Sequence, residues 1–235
     1  MRALLLTLGA LVGLGCGDSS SSSQGGAASD GGGGANAGGA GGEASSSGQG
    51  AATSSSGGQS TGGSGLGGSG SNFDAQGLSL CAVINEYRVS QGLAEVPVSV
   101  ALMTVAEAHV ADLSAHPEIA SGDCNLHSWS ELGGWSGCCY TSDHAQAQCM
   151  WSKPAELTAT WGPNQYTGNG YEIAASGAGT PESALALWQS SPGHHEVILN
   201  AGPWQPYNPW PAMGCAMKDS YAVVWFGDAT DPQTL

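Results

Sequence analysis

The sequence predicts an α+β domain in which helices flank a small antiparallel sheet, and three observations predict it. Two amphipathic helical repeats come first in the part of the chain able to hold a core. Two strand-like runs joined by a short linker close it. Between them lies a stretch dense in Trp, Gly and Cys with little periodicity. Helices followed by terminal strands bury their apolar faces most simply as layers, with helices packed over a sheet.

The core-bearing part starts late. Residues 17–72 are nearly all Gly, Ser, Ala, Gln, Asn and Thr, with Leu66 the one large apolar residue and no aromatic, Pro, Lys or Arg. Such a segment buries too little surface to offset its ordering entropy and reads as a disordered linker. As a flexible coil, its 56 residues span about 40 Å. Residues 73–235 hold all 8 Trp, all 6 Tyr and six of the 7 Cys, enough for one domain with one core.

Ahead of the linker, residues 1–16 read as a signal peptide. Arg2 supplies the positive end, and residues 3–14 form an apolar run too short to span a bilayer. The run ends Gly13-Leu14-Gly15-Cys16, which resembles a bacterial lipobox. That resemblance implies cleavage before Cys16 and lipid attachment there; an ordinary secretory signal is the alternative. On either reading the domain is exported, as a cell-surface or periplasm-facing lipoprotein or as a secreted protein. Membrane contact is expected through the lipid anchor alone, with no transmembrane helix.

In residues 79–91, Leu80, Val83, Ile84 and Tyr87 recur at helical spacing, and Gly92 stops the helix. A second helix covers residues 99–114, with Ser99 as N-cap and Leu102, Val105, Ala106, His109 and Leu113 as its stripe. A histidine inside such a stripe reads as a hydrogen-bonded core residue. Residues 123–170 read as an elaborated, disulfide-held insertion. Thr180-Pro181-Glu182 starts a third helix, with a cap, a proline at the first position and an acid in the first turn, and it ends before Pro192. A short turn or helix follows at 194–200. Strands are expected at 212–217 and 220–227, joined as a hairpin through Lys218-Asp219.

Charge excludes several functions. Lys plus Arg is 4 against 19 Asp plus Glu, a net −15, and within 73–235 only Arg88, Lys153 and Lys218 are basic. Nucleic-acid binding needs a basic face to displace counterions, and adsorption to anionic headgroups needs one too. No GxxxxGK[ST] and no GxGxxG after a strand supports nucleotide chemistry. Within residues 73–235 no GxSxG elbow supports a serine hydrolase.

Setting Cys16 aside leaves Cys81, Cys124, Cys138, Cys139, Cys149 and Cys215. An even set in an exported domain reads as up to three disulfides, and six cysteines allow 15 connectivities. Cys138 and Cys139 are adjacent and are expected to take different partners. The rival reading is a metal cluster of Cys138, Cys139, His144 and Cys149.

Several segments, in order, resemble the CAP family of cysteine-rich secretory, antigen 5 and pathogenesis-related proteins, in its bacterial SCP-like form. Asn85-Glu86-Tyr87-Arg88 with Gly92-Leu93 is similar to the family's N-x-x-R and following G-L. Residues 102–113 resemble its second helix. Leu126-His127-Ser128 sits in a segment similar to L-x-H-S, and Gly170-Tyr171-Glu172-Ile173-Ala174 resembles G-E-N-[IL]-A, with Tyr171 inserted and no Asn. Trp188-x-x-Ser191-Pro192-Gly193-His194 followed by Ile198-Leu199-Asn200 is similar to the bacterial W-x-x-S-P-G-H…I-L-N signature. Gly214-Cys215-Ala216 and the final strand match the ending. The resemblance covers about 78–227 and implies an α-β-α sandwich with a cleft. Its cleft residues carry over as His127, Glu172 and His194; Ser191 stands where the second acid is usual.

Two imidazoles and a carboxylate suit a divalent metal, zinc above all, and an open position could hold a water with Glu172 as base. The ligands lie far apart in sequence and there is no HExxH, so a hydrogen-bonded structural network is an equal reading. Glu182 and Glu196 could reach inward. His195 is expected to face solvent or a carboxylate, His116 to lie at the surface, and His144 has no assigned role. In residues 203–211, Trp204, Tyr207 and Trp210 recur every three residues with Pro203, Pro206 and Pro209. A polyproline II turn would line the rings along one edge as a ligand strip; packing on the domain as a rigid loop is the alternative. Together these features predict an exported binding module whose ligand is a lipid, glycan or protein, weakly holding one divalent metal. A metal-assisted hydrolase of extracellular peptides or polymers is the alternative.

Overall fold

The computed structural model describes residues 72–235. The predicted signal peptide with Cys16, and the linker up to residue 71, lie outside the described residues.

Helix α1 (Ala75–Ser90) begins four residues before the start expected at 79, because Asp74 caps it. The Asp74 carboxylate accepts the Gln76 and Gly77 N–H groups at 2.9 and 3.2 Å. Helix α2 (Val100–Ala115) starts at Ser99, whose hydroxyl accepts the Leu102 N–H at 3.0 Å. That hydroxyl also donates to Asp231, 2.5 Å away, so the C-terminal tail ties down the start of α2. Helix α3 (Ala147–Leu157) occupies the insertion, where no helix was expected. Strand β1 (Gly170–Ser176) follows it, then α4 (Pro181–Ser190), opened by the Thr180/Ser183 capping box. The uncertain stretch after it is a helix, α5 (Pro192–Leu199).

Strands β2 (Ala212–Lys218) and β3 (Tyr221–Gly227) form the predicted hairpin. Its turn is Asp219-Ser220, one residue later than expected, with φ of 47° and 70°. Two left-handed residues are what the tight two-residue hairpin turn needs. The sheet is antiparallel in the order β1-β3-β2, with Glu172 opposite Trp225 and Gly214 also opposite Trp225.

Side chains alternate across the sheet, and both faces are covered. Ile173, Val224 and Phe226 pack under α1, α4 and α5 with Leu80, Ile84 and Trp188. Ala174, Val223 and Trp225 pack under α2 and α3 with Leu102, Val105 and Met150. This is the sandwich of helices, sheet and helices. Helix α2 lies directly on β2: a Cβ at Gly214 would stand 2.1 Å from the Leu102 carbonyl carbon.

All six cysteines of the domain are paired, as Cys81–Cys215, Cys124–Cys139 and Cys138–Cys149. The adjacent Cys138 and Cys139 take different partners. The metal-cluster reading is thereby overturned, since none of its three cysteines has a thiolate to offer, and His144 instead meets the Tyr140 hydroxyl at 3.0 Å. No described helix is long and apolar enough to cross a membrane.

Candidate functional site

The residues that match the family's motifs divide into braces and a buried polar network. The braces come first. Asn85 clamps Val96 from both sides of its amide, at 2.8 and 3.0 Å. Arg88 is fully buried and donates to the carbonyls of Ala94 and Ile198 and to Asn200 Oδ1. Burial draws its guanidinium down to about 10. Both side chains tie α1 to the segments that follow it and to the end of α5.

The network is built from three elements. Glu172 comes from β1, His109 from α2, and His127 from a loop with two supports. The Trp129 and Cys138 backbones bond each other in both directions, and the disulfides Cys124–Cys139 and Cys138–Cys149 staple the same region. Asn125 Oδ1 accepts the His127 N–H at 3.1 Å and fixes its backbone. His127 donates from Nδ1 to Glu172 Oε2 at 2.8 Å. His109 donates from Nδ1 to Glu172 Oε1 and from Nε2 to the Ser128 carbonyl, 3.0 Å away. Both nitrogens of His109 therefore face oxygen acceptors, so the ring donates from both and pairs with Glu172 as a cation. Burial alone would push the Glu172 carboxyl up; the His109 charge, with the bonds from both imidazoles, holds it below the usual carboxylate range.

Aromatic rings close the network. Trp129 stacks on His109 with centroids 4.2 Å apart and 9° between planes, and Trp225 meets His109 edge-on. Lys153 lies 5.1 Å over Trp129, buried, and donates to the Ser136 carbonyl and to Glu156. Its position over the ring is a cation–π contact.

His194 sits apart on α5. Its Nδ1 is 2.8 Å from Ser191 Oγ, and its Nε2 is buried without a hydrogen-bond partner. Burial, and then the positive charge of His127, draw it down to about 4, against a smaller opposing pull from Glu172. It is a neutral imidazole at neutral pH.

The three residues predicted to line a cleft are sealed: His127 is 1% exposed, Glu172 2% and His194 0%. Glu172 and His127 are in contact, but the partner of Glu172 that sequence reasoning missed is His109. The clue was available: a histidine in an apolar helix stripe must find a partner, and Glu172 is the single acid in the apolar run 171–175. Both Glu172 oxygens are engaged by imidazoles. Among the described residues no group of three or more His, Cys, Asp or Glu side chains is arranged to hold a metal ion. Glu182 is exposed in the first turn of α4, and Glu196 lies against Gly202, so neither completes an acid pair.

Two further expectations are corrected. His195 is half-buried, and its Nε2 meets the Tyr87 hydroxyl at 2.6 Å rather than a carboxylate. Residues 202–207 form a 3-10 turn rather than polyproline II, so the three rings do not form one exposed edge. Trp210 is fully buried, donates to the Val197 carbonyl at 2.9 Å and stacks on Phe226. Tyr207 stacks on Trp210, and Trp204 and Tyr171 join them, so the three rings form an aromatic cluster packed on the core, with Trp204 and Tyr207 half-buried. His116 lies near the surface, 3.5 Å from Glu118.

A sequence profile described as the cysteine-rich secretory protein family, CAP, matches residues 81–203, just over half of the 235. Among solved structures, a cysteine-rich secretory protein of Staphylococcus aureus is 15% identical with a TM-score of 0.41. The match covers 66% of this chain but 38% of that one, so this chain spans well under half of its length. An outer surface protein of Borrelia burgdorferi is 19% identical with a TM-score of 0.40, over 64% of this chain and 90% of that one. No curated protein matches the chain.

Proposed function

Since the chain belongs to the cysteine-rich secretory protein family, we propose that it is an exported binding module, and that its His127–Glu172–His109 network braces the fold rather than performing a reaction. The observation that carries this reading is the closure of the network: every member is at most 2% exposed, and both carboxylate oxygens are occupied by imidazoles. A general base must reach a proton on a substrate, and this carboxylate is sealed from solvent. Three disulfides support a compartment outside the reducing cytoplasm.

The competing reading is zinc at His127, Glu172 and His194, driving hydrolysis. Calorimetry of the full chain with zinc at neutral pH is expected to show no one-per-chain site that His127→Ala and His194→Ala each abolish. Ester, peptide and oligosaccharide substrates are expected to survive incubation intact. A stoichiometric zinc site lost in both variants, or turnover lost in Glu172→Gln, overturns the binding-module reading.

In the same proposal Cys16 carries a lipid and residues 17–72 are the tether. Radiolabelled fatty acid is expected on the wild-type chain and not on Cys16→Ser. Equal labelling of the two removes the anchor and leaves secretion.

A further inference from the structure

With the His/Glu network closed, the described surface offers another concavity. A groove of about 760 Å³ opens between the 117–126 segment, the loop at Thr141, Ser142 and Asp143, and the end of the β1–β3 pair at Ser176 and Tyr221. That volume lies within the range of ligand sites. We infer that this groove is a carbohydrate site, taking an oligosaccharide that is uncharged or carries amines. The inference rests on the binding-module reading and names its ligand class.

Three observations carry it. The first is the lining chemistry. Asn125, Thr141, Ser142 and Ser176 supply amide and hydroxyl groups, Asp123 and Asp143 supply carboxylates, and Tyr221 supplies a ring. Carboxylates and amides read sugar hydroxyls, and an aromatic face takes the apolar C–H side of a pyranose ring. The second is what the lining lacks: it contains no Lys, Arg or His. Phosphorylated, sulfated or uronic acid chains would meet two carboxylates and no cation, on a chain with a net charge of −15. An amine on the sugar would instead gain from both aspartates.

The third is rigidity, which keeps the ordering cost of binding low. One wall is stapled by Cys124–Cys139, and Cys124 and Thr141 pair across the same wall. Asn125 N–H donates to the Tyr140 carbonyl at 2.9 Å. Asp143 is held by the Thr141 hydroxyl at 2.5 Å and the Ala145 N–H at 3.1 Å. On the opposite wall, Ser176 and Tyr221 are register partners in the sheet. The groove does not depend on a loop closing to form.

The test uses four probes with the full chain: the N-acetylglucosamine hexamer, the glucosamine hexamer, a heparin hexasaccharide and a hexalysine peptide. Calorimetry is expected to show saturable one-to-one binding of both glucosamine-type hexamers, tighter for the amine form, and none of heparin. Amide resonances of Asn125, Asp143 and Tyr221 are expected to shift. Tyr221→Ala is expected to weaken both hexamers about tenfold, equivalent to 1.4 kcal/mol. Asp143→Asn, an exposed change that leaves the core alone, is expected to erase the preference for the amine form while sparing the other.

Absence of sugar binding, binding of heparin, binding of hexalysine alone, or sugar affinities unchanged in both variants each overturns the carbohydrate site. Those outcomes leave the binding-module reading to its own test. Shortening of the hexamers during incubation would overturn the binding-module reading, while the groove assignment would stand on the variants.

Discussion

Glu172→Gln is expected to destabilise the domain by about 3–5 kcal/mol, the range for removing one partner of a buried ion pair. The carboxylate accepts from His109 and His127 and is buried to 2% exposure. Glutamine keeps the shape but removes the charge and presents an NH2 to one of two donors. His109 is then left between the Ser128 carbonyl and a group that no longer balances it. Chemical denaturation of wild type and variant measures the loss. A change below about 1 kcal/mol, the size of an ordinary neutral hydrogen bond, would remove the charged description of the pair.

The same region sets the acid limit of the fold. The folded Glu172 carboxyl titrates below its unfolded value, so its contribution is present above the unfolded value near 4.3 and is lost as pH falls through the folded one. His194 acts earlier. Its folded value of about 4 lies below the unfolded 6.5, so the unfolded chain takes up a proton that the folded chain refuses. Stability therefore falls as pH drops from about 6.5 to about 4, by about 3 kcal/mol in all. A denaturation series in His194→Gln is expected to be flatter across that window, with the Glu172 loss still visible below it.

Removing the Cys81–Cys215 bridge, as the double alanine variant, is expected to cost about 4–5 kcal/mol. The bridge closes a loop of 134 residues, and in the loop-entropy account long loops give the largest effect. It also joins α1 to β2 inside the core, where both cysteines are at most 1% exposed. Opening Cys138–Cys149, which spans 11 residues, is expected to cost about 3 kcal/mol on the same account. Thermal melts of the two double variants should therefore rank in that order. The reverse order would show that the short bridges hold the insertion in a way loop length does not capture.

Much of this fold was legible because its elements carry local signatures. Leu80, Ile84 and Tyr87 repeat at helical spacing, Ser99 and Thr180 are capping residues, and the alternation in 221–226 marks a strand. The turn of α1 before Ser79 was not legible, since Ala75, Gln76 and Gly77 carry no apolar rhythm. Gly77 is set by contact instead, as its Cβ would stand 2.6 Å from the Cys215 carbonyl oxygen. Helix α3 was hidden for a similar reason. It contains Pro154 and the buried Lys153, and it is fixed partly by Cys149 in a disulfide rather than by its own pattern.

The site divided along the same line. Motifs brought His127 and Glu172 to attention, and they do meet. Whether they form an open cleft or a closed network depended on His109, which is remote from both in sequence. The aromatic repeat at 204–210 misled because a three-residue period fits a polyproline edge and a 3-10 turn alike. The choice was made by the pocket that Phe226 and Tyr171 offer Trp210.

The place of β3 has a consequence for how the molecule comes into being. It is the last described strand in the sequence and the middle strand of the sheet, so until it arrives β1 has no strand beside it and β2 has only the short bridge between Met213 and Val98. The tail behind it supplies Asp231, which receives the Ala101 N–H at the start of α2. A chain made from its N-terminus onward can form helices early, but it cannot assemble the three-stranded sheet until β3 is made. Completion of the sheet is thus timed by β3, and the two faces on which the helices pack become whole only with it.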